Sequence, residues 1–170
     1  PDAAVVWVGG DGAALSNAMM TYNGARGWAR YDPGPGAGAG RRWEEGASVS
    51  RELKRRYFLV EKAKDANIVG VVVGTLGVGG YTNALRRIRT LIKEAGKKPY
   101  TMVMGRVNPA KLANFPEVDV FVLVACAQTA LLDSKEFMAP IITPYEAELA
   151  FEYRQWTGEY RMDFGGLAAA

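Results

Sequence analysis

Cys126 is the one thiol in a chain of 170 residues that contains no histidine. It closes VDVFVLVAC, an apolar run that reads as a strand, and in open parallel sheets ligands collect at the carboxyl ends of strands. The same thiol, set against VLVA, also reads as a small buried hydrophobe. The second candidate is GTLGVGG, residues 74–80, with Gly74, Thr75, Gly77 and Gly79 as the ligand-facing positions. It follows one strand and precedes a helix, where backbone amides can face a phosphate or cofactor. It matches neither GxGxxG nor a Walker A lysine loop, and a tight turn requiring positive φ accounts for the same glycines.

The remaining polar groups offer less. Without histidine the commonest general base and metal ligand are missing, so serine–histidine and cysteine–histidine hydrolysis is excluded within this chain. Glu117, Asp119, Asp133, Glu146 and Glu148 are not paired at a spacing that marks a metal site or an acid–base dyad, which predicts solvated surface for most of them. Arg86, Arg87 and Arg89 form the run RRIR, which could touch an acidic partner or nucleic acid. No aromatic stacking pattern accompanies it, and a solvated helix face is the reading adopted.

These candidates must be positioned by an alternation of strands and helices. IVGVVVG from Ile68, Tyr100–Met104, VDVFVLVA and Ile141–Thr143 read as strands, the longer ones apolar throughout as expected of parallel strands covered on both faces. Between them, Tyr81–Ala95 carries Leu85, Ile88, Leu91 and Ile92 on one face and Gly96 as its stop. NPAKLANF is a short helix, and Pro144 opens another. Upstream, Ser50–Ala66 is a charged helix with Leu53, Tyr57, Val60 and Ala63 on one side and Lys54, Arg55, Glu61 and Lys64 on the other. The pattern predicts an α/β fold: an open, mostly parallel four-stranded sheet flanked by helices, with Cys126 and the GTLGVGG loop on the same sheet edge.

Before this unit, Ala4–Val8 and Ala14–Tyr22 read as a strand and a helix, the remnant of a preceding α/β domain spanning 1–32. The run PGPGAGAG, Pro33–Gly40, is predicted to be irregular and mobile, within a linker spanning 33–50. The main domain is then 51–150, with a C-terminal extension over 151–170.

Composition bounds the rest. Nearly half the residues are apolar (49%) and 23% are charged, the mixture of a folded domain. No apolar run approaches the roughly 20 residues that span a bilayer, and the start PDAAVVWVGG lacks the basic region of a secretory signal. One cysteine forms no internal disulfide, which favours a reducing compartment, the cytoplasm. The net charge of +3 gives a weakly positive face and no strong case for direct nucleic-acid binding.

Four segments carry a family resemblance, in order along the chain. RRYFLVEKAKDANIVGVVVGTLGVGGY, GKKPYTMVMGRVNPAKLANFPEVDVFVLVAC, LLDSKEFMAPIITPYEAELAF and WTGEYRMDF resemble the C-terminal domain of the diphthamide-synthesis subunit 2 family over about residues 51–164. LSNAMMTYNG, from Leu15, is similar to the end of that family's middle domain. The resemblance implies three related α/β domains, each contributing one cysteine to a four-iron, four-sulfur cluster, with S-adenosylmethionine at the open iron. It identifies Cys126 as the third-domain ligand. It implies transfer of a 3-amino-3-carboxypropyl group to a histidine of translation elongation factor 2. The partners it implies are subunit 1, in a heterodimer, and an electron-donor protein.

The sequence departs from the catalytic subunit of that family, where Pro-Arg follows the cysteine; here Ala127 and Gln128 do, and TALLDS follows in the manner of subunit 2. Ala127 also departs from the proline common in subunit 2. A supporting subunit is therefore expected. One thiolate cannot hold such a cluster alone, so these residues by themselves are expected to be metal-free and inactive. The alternatives from the residues alone are a nucleotide- or cofactor-binding module using GTLGVGG, and a purely structural interaction domain.

Overall fold

The computed structural model describes residues 3–10, 12–34, 40–44, 47–74, 81–125, 131, 137–152, 154–157, 160 and 161. In chain order the elements are β1 (Ala4–Val8), α1 (Ala13–Thr21), β2 (Gly27–Asp32), β3 (Gly40–Glu44), α2 (Ala47–Lys64), β4 (Ile68–Val73) and α3 (Tyr81–Glu94). Then come β5 (Lys98–Val103), α4 (Pro109–Leu112), β6 (Val120–Val124), β7 (Ile141–Ile142) and α5 (Pro144–Phe151).

Two sheets result. The larger has strand order β5-β4-β6-β7 and is parallel throughout, as the apolar strands alternating with helices predict. Its alternating side chains divide between two cores. Val69, Val71, Val120, Val122, Val124 and Ile142 meet α2, α3 and α5 on one face. Val72, Phe121, Leu123 and Ile141 meet Leu112 of α4 and Val118 on the other. Removing such side chains from water contributes roughly 1.5–3 kcal/mol each, and this double-sided burial is why β4 and β6 are uninterrupted apolar runs. Gly70 is glycine for a steric reason: a Cβ there would lie 2.6 Å from Cδ1 of Phe121. Asp119 stitches the start of this sheet, its Oδ2 accepting from the Asn67 and Ile68 amides at 2.8 and 2.9 Å. Gly96, at φ +74°, stops α3 as expected.

The smaller sheet has order β1-β2-β3, parallel between β1 and β2 and antiparallel between β2 and β3. Two of its strands were not anticipated. β3 lies inside the stretch expected to be linker, and Gly40 begins a strand instead of ending an irregular run. Residues 35–39 of the PGPGAGAG run lie outside the described residues. α2 likewise begins at Ala47, earlier than the expected Ser50. Its buried side is also rotated from the expected one: Arg56, Leu59, Val60 and Ala63 are buried, whereas Tyr57 is 42% exposed. Tyr57 instead sets its ring edge against Trp156, with centroids 5.5 Å apart. α1 joins the two units through Met20, fully buried against Leu131 and Tyr160.

Candidate functional site

In a parallel sheet every strand delivers its carboxyl end to one edge, so β4, β6 and β7 hand over their following segments side by side. The pairing of Val73 with Val124 is the last rung between β4 and β6. One step on, the Gly74 amide donates to the Val124 carbonyl at 3.0 Å. A Cβ on Gly74 would lie 3.2 Å from the Ala125 Cβ, so glycine lets the two chains leave the sheet in contact. Of the sequence-predicted site residues, Gly74 is thus placed at this edge. Thr75, Gly77, Gly79 and Cys126 lie outside the described residues. The expectation that Cys126 and the glycine loop share a sheet edge falls there too. Among the described residues no group of three histidine, cysteine or carboxylate side chains could hold a metal.

Beside these two strand ends, β7 runs into a buried polar cluster that the sequence reading misassigned. Glu146, expected at the solvated surface, is fully buried on α5. Its Oε1 accepts from Arg56 Nε at 2.6 Å and from the Tyr160 hydroxyl at 2.8 Å. Its Oε2 accepts from Arg56 Nη2 and from the Thr143 amide, the latter at 2.7 Å. Thr143 Oγ1 in turn accepts from the Glu146 amide at 3.3 Å, completing a capping box at the start of α5. The Thr143 and Tyr160 hydroxyls are 3.0 Å apart. Burial disfavours the charge on Arg56, but the Glu146 carboxylate and the Tyr160 hydroxyl outweigh it and hold the guanidinium above its usual range. Burial, followed by the Glu146 charge, pushes the Tyr160 phenol well above its ordinary value.

Chemically this cluster is closed. Both carboxylate oxygens are occupied and the acid has no access to solvent, so Glu146 neither gives nor takes a proton from a substrate. Its role is to lock the end of β7, α2 and the C-terminal segment together at the edge where the other strand ends emerge. The readable signal was the spacing Thr143-Pro-Tyr-Glu146, a capping-box pattern before an apolar run. The RRIR run divides in the same way. Arg87 turns inward to Glu152, whereas Arg86 and Arg89 are exposed.

A model of the family described as "Putative diphthamide synthesis protein" matches residues 2–161. The chain belongs to the diphthamide synthesis protein family. Within it, the chain is 52% identical over 167 residues to 2-(3-amino-3-carboxypropyl)histidine synthase subunit 2 of Gallus gallus, covering 98% of this chain and 34% of the relative. The subunit 2 of Danio rerio is 43% identical, with 98% and 32% covered. The chain therefore spans about a third of the length of the curated diphthamide-synthesis relatives it matches. Among solved structures, Dph2 from Pyrococcus horikoshii with a 4Fe-4S cluster superposes with a TM-score of 0.71 at 26% identity. That match covers 94% of this chain and 43% of the archaeal one.

Four-iron clusters are held by thiolates, and this chain has one thiol and no imidazole. The adjacent parallel ends of β4 and β6 set Gly74 and Ala125, the residues before Thr75 and Cys126 in sequence, side by side at one sheet edge. One thiol supplies at most one of the thiolates that such a cluster needs. No helix is long and apolar enough to cross a membrane among the described residues.

Proposed function

We propose that this chain is the cluster-bearing C-terminal domain of a subunit 2 of 2-(3-amino-3-carboxypropyl)histidine synthase, acting in the first step of diphthamide formation. The observation that carries the proposal is the 52% identity to the Gallus gallus subunit 2 across 98% of the chain. In this reading Cys126 supplies one thiolate to a four-iron, four-sulfur cluster shared with two further domains. Gly74 closes the sheet through its own amide, and the loop that follows it, with Thr75, Gly77 and Gly79, is assigned to S-adenosylmethionine through its backbone amides. When bound, the cluster supplies the electron that breaks the sulfonium bond, so that the 3-amino-3-carboxypropyl group passes to a histidine of translation elongation factor 2.

The residues after the cysteine support reading this chain as the supporting part. Ala127 and Gln128 stand after the cysteine where the catalytic subunit carries Pro-Arg, so no guanidinium from this segment meets the cluster or the amino acid moiety of S-adenosylmethionine. Subunit 1 then performs the transfer, and this subunit stabilises it and assists reduction by an electron-donor protein in the cytoplasm.

Iron and sulfide analysis of the full-length protein, with and without Cys126→Ala, tests the site. The variant is expected to lose most of its iron and the visible absorption of the cluster, and unchanged iron content would overturn the assignment of Cys126. Turnover assays of the protein alone and with subunit 1 test the supporting role. Transfer by the protein alone at the rate of the pair would overturn it.

A further inference from the structure

The face of α3 that points away from the core carries Arg86, Arg89 and Lys93, spaced three and four residues apart and so aligned in one stripe about 10 Å long. All three are exposed. None of them makes an ion pair among the described residues, in contrast to Arg87, which is bound to Glu152. Arg86 reaches only Asn83 Oδ1, at 3.1 Å, and Arg89 only Thr101 Oγ1 on β5, at 3.2 Å. Like charges at these spacings repel by about a few tenths of a kcal/mol per pair.

The second observation concerns β5, which Arg89 touches. It is the terminal strand of the larger sheet. Its Lys98 and Met104 amides donate inward to the Asn67 and Val73 carbonyls of the β4 side, each at 2.9 Å. The odd-numbered residues Pro99, Thr101 and Val103 therefore turn their backbone groups outward. Pro99 has no N–H to offer and Lys98 is exposed beside it, the devices by which a natural edge refuses another strand. The edge nevertheless exposes an apolar side chain on the α3 face, where Val103 is 68% exposed; Tyr100, 51% exposed, lies on the opposite face with Met102.

We propose that Arg86, Arg89 and Lys93, together with Val103 on the same face of the sheet, form a docking surface for a protein that presents carboxylates beside an apolar side chain. The partner seats side chains on this surface and adds no strand to the edge. Arginine beside an exposed apolar side chain is a combination found at protein interfaces. A nucleic acid is the weaker fit, since three cations in one short stripe release few counterions and Val103 has no role against phosphates.

The test uses the full-length protein and fluorescence anisotropy. The probes are a labelled peptide of glutamates flanking a Leu-Tyr centre, a peptide of glutamates alone, and an RNA of the same length. The Leu-Tyr peptide is expected to bind more tightly than the other two. Arg86→Glu/Arg89→Glu/Lys93→Glu is expected to weaken it about tenfold or more, and Val103→Asp to weaken it while sparing the all-glutamate peptide. Lys54→Glu/Lys62→Glu on α2 should change nothing. Should the charge reversal melt early, Arg86→Gln/Arg89→Gln/Lys93→Gln replaces it, with a smaller loss expected. Absence of peptide binding at low salt, tighter binding of RNA, or equal losses in the α2 control would overturn the proposal.

Discussion

β4 and β6 of the larger sheet and β2 of the smaller one are all central strands, yet they are buried by different means. β4 and β6 put only apolar side chains and one glycine into their two cores. β2 buries Trp28 and Ala29 and then Arg30, which is 5% exposed, with its charge held by the Gly9 carbonyl and Asp32. Among the described residues, the larger sheet repeats that solution at its margin, where Arg56 meets Glu146. Apolar burial is non-directional and tolerates a simple pattern, whereas a buried charge needs a specific partner, sometimes distant in sequence. The two regions should therefore respond to substitution in opposite ways.

The largest effect is expected where a buried charge loses its partner. Glu146→Gln leaves the Arg56 guanidinium buried without a counter-charge, and stability is expected to fall by about 3–5 kcal/mol. Urea denaturation measures it, and a loss below about 1 kcal/mol, the scale of a surface pair, would break the contrast between the two kinds of burial. In the apolar sheet the corresponding fault is crowding. Gly70→Val would drive a Cβ to 2.6 and 2.8 Å from the Phe121 ring and 3.1 Å from Val118 Cγ1. The expected cost is about 1–3 kcal/mol, since the ring is enclosed and has little room to yield. A double variant Gly70→Val/Phe121→Leu should recover part of the loss, and no recovery would locate the strain elsewhere.

The same contrast explains what could be read in the sequence. β4, α3, β6 and α5 were legible because uninterrupted β-branched runs and an amphipathic repeat ending in Gly96 each have one sensible structure. β2 was not, because Arg30 breaks the apolar run and its partner Gly9 lies 21 residues away. β3 was hidden by the neighbouring glycines and prolines, although GRRWE pairs in register with β2. At the candidate site, the strand ends preceding the glycine loop and Cys126 were legible from topology alone. Glu146 was misread as surface because a carboxylate's burial depends on Arg56, 90 residues earlier, and nothing local announces such a pairing. The capping-box spacing of Thr143 and Glu146 was the one local clue.

The smallest expected effect narrows the comparison to two sides of a single turn of α5. Glu148 stands two residues after Glu146 but is only partly buried. Burial, followed by the neighbouring Glu152 charge, raises its carboxyl above the ordinary range, and Arg154, Arg87 and Arg161 pull it down without cancelling that shift. A carboxyl whose folded value is raised holds its proton more tightly in the folded chain than in the unfolded one. Its contribution to stability is full below the unfolded value of about 4.3 and is lost as pH rises through the folded value. At neutral pH the ionised Glu148 therefore weakens the fold slightly. Glu148→Gln is expected to raise the denaturation midpoint modestly at about pH 7 and to leave it unchanged near pH 4, where the native acid is already protonated. The same Glu→Gln change two residues earlier is expected to be costly at neutral pH, because there the charge has a partner. Denaturation curves of the two variants across this pH range measure both signs. A Glu148→Gln variant less stable than the parent at neutral pH would show that Arg87 and Arg154 satisfy this carboxylate as Arg56 satisfies Glu146.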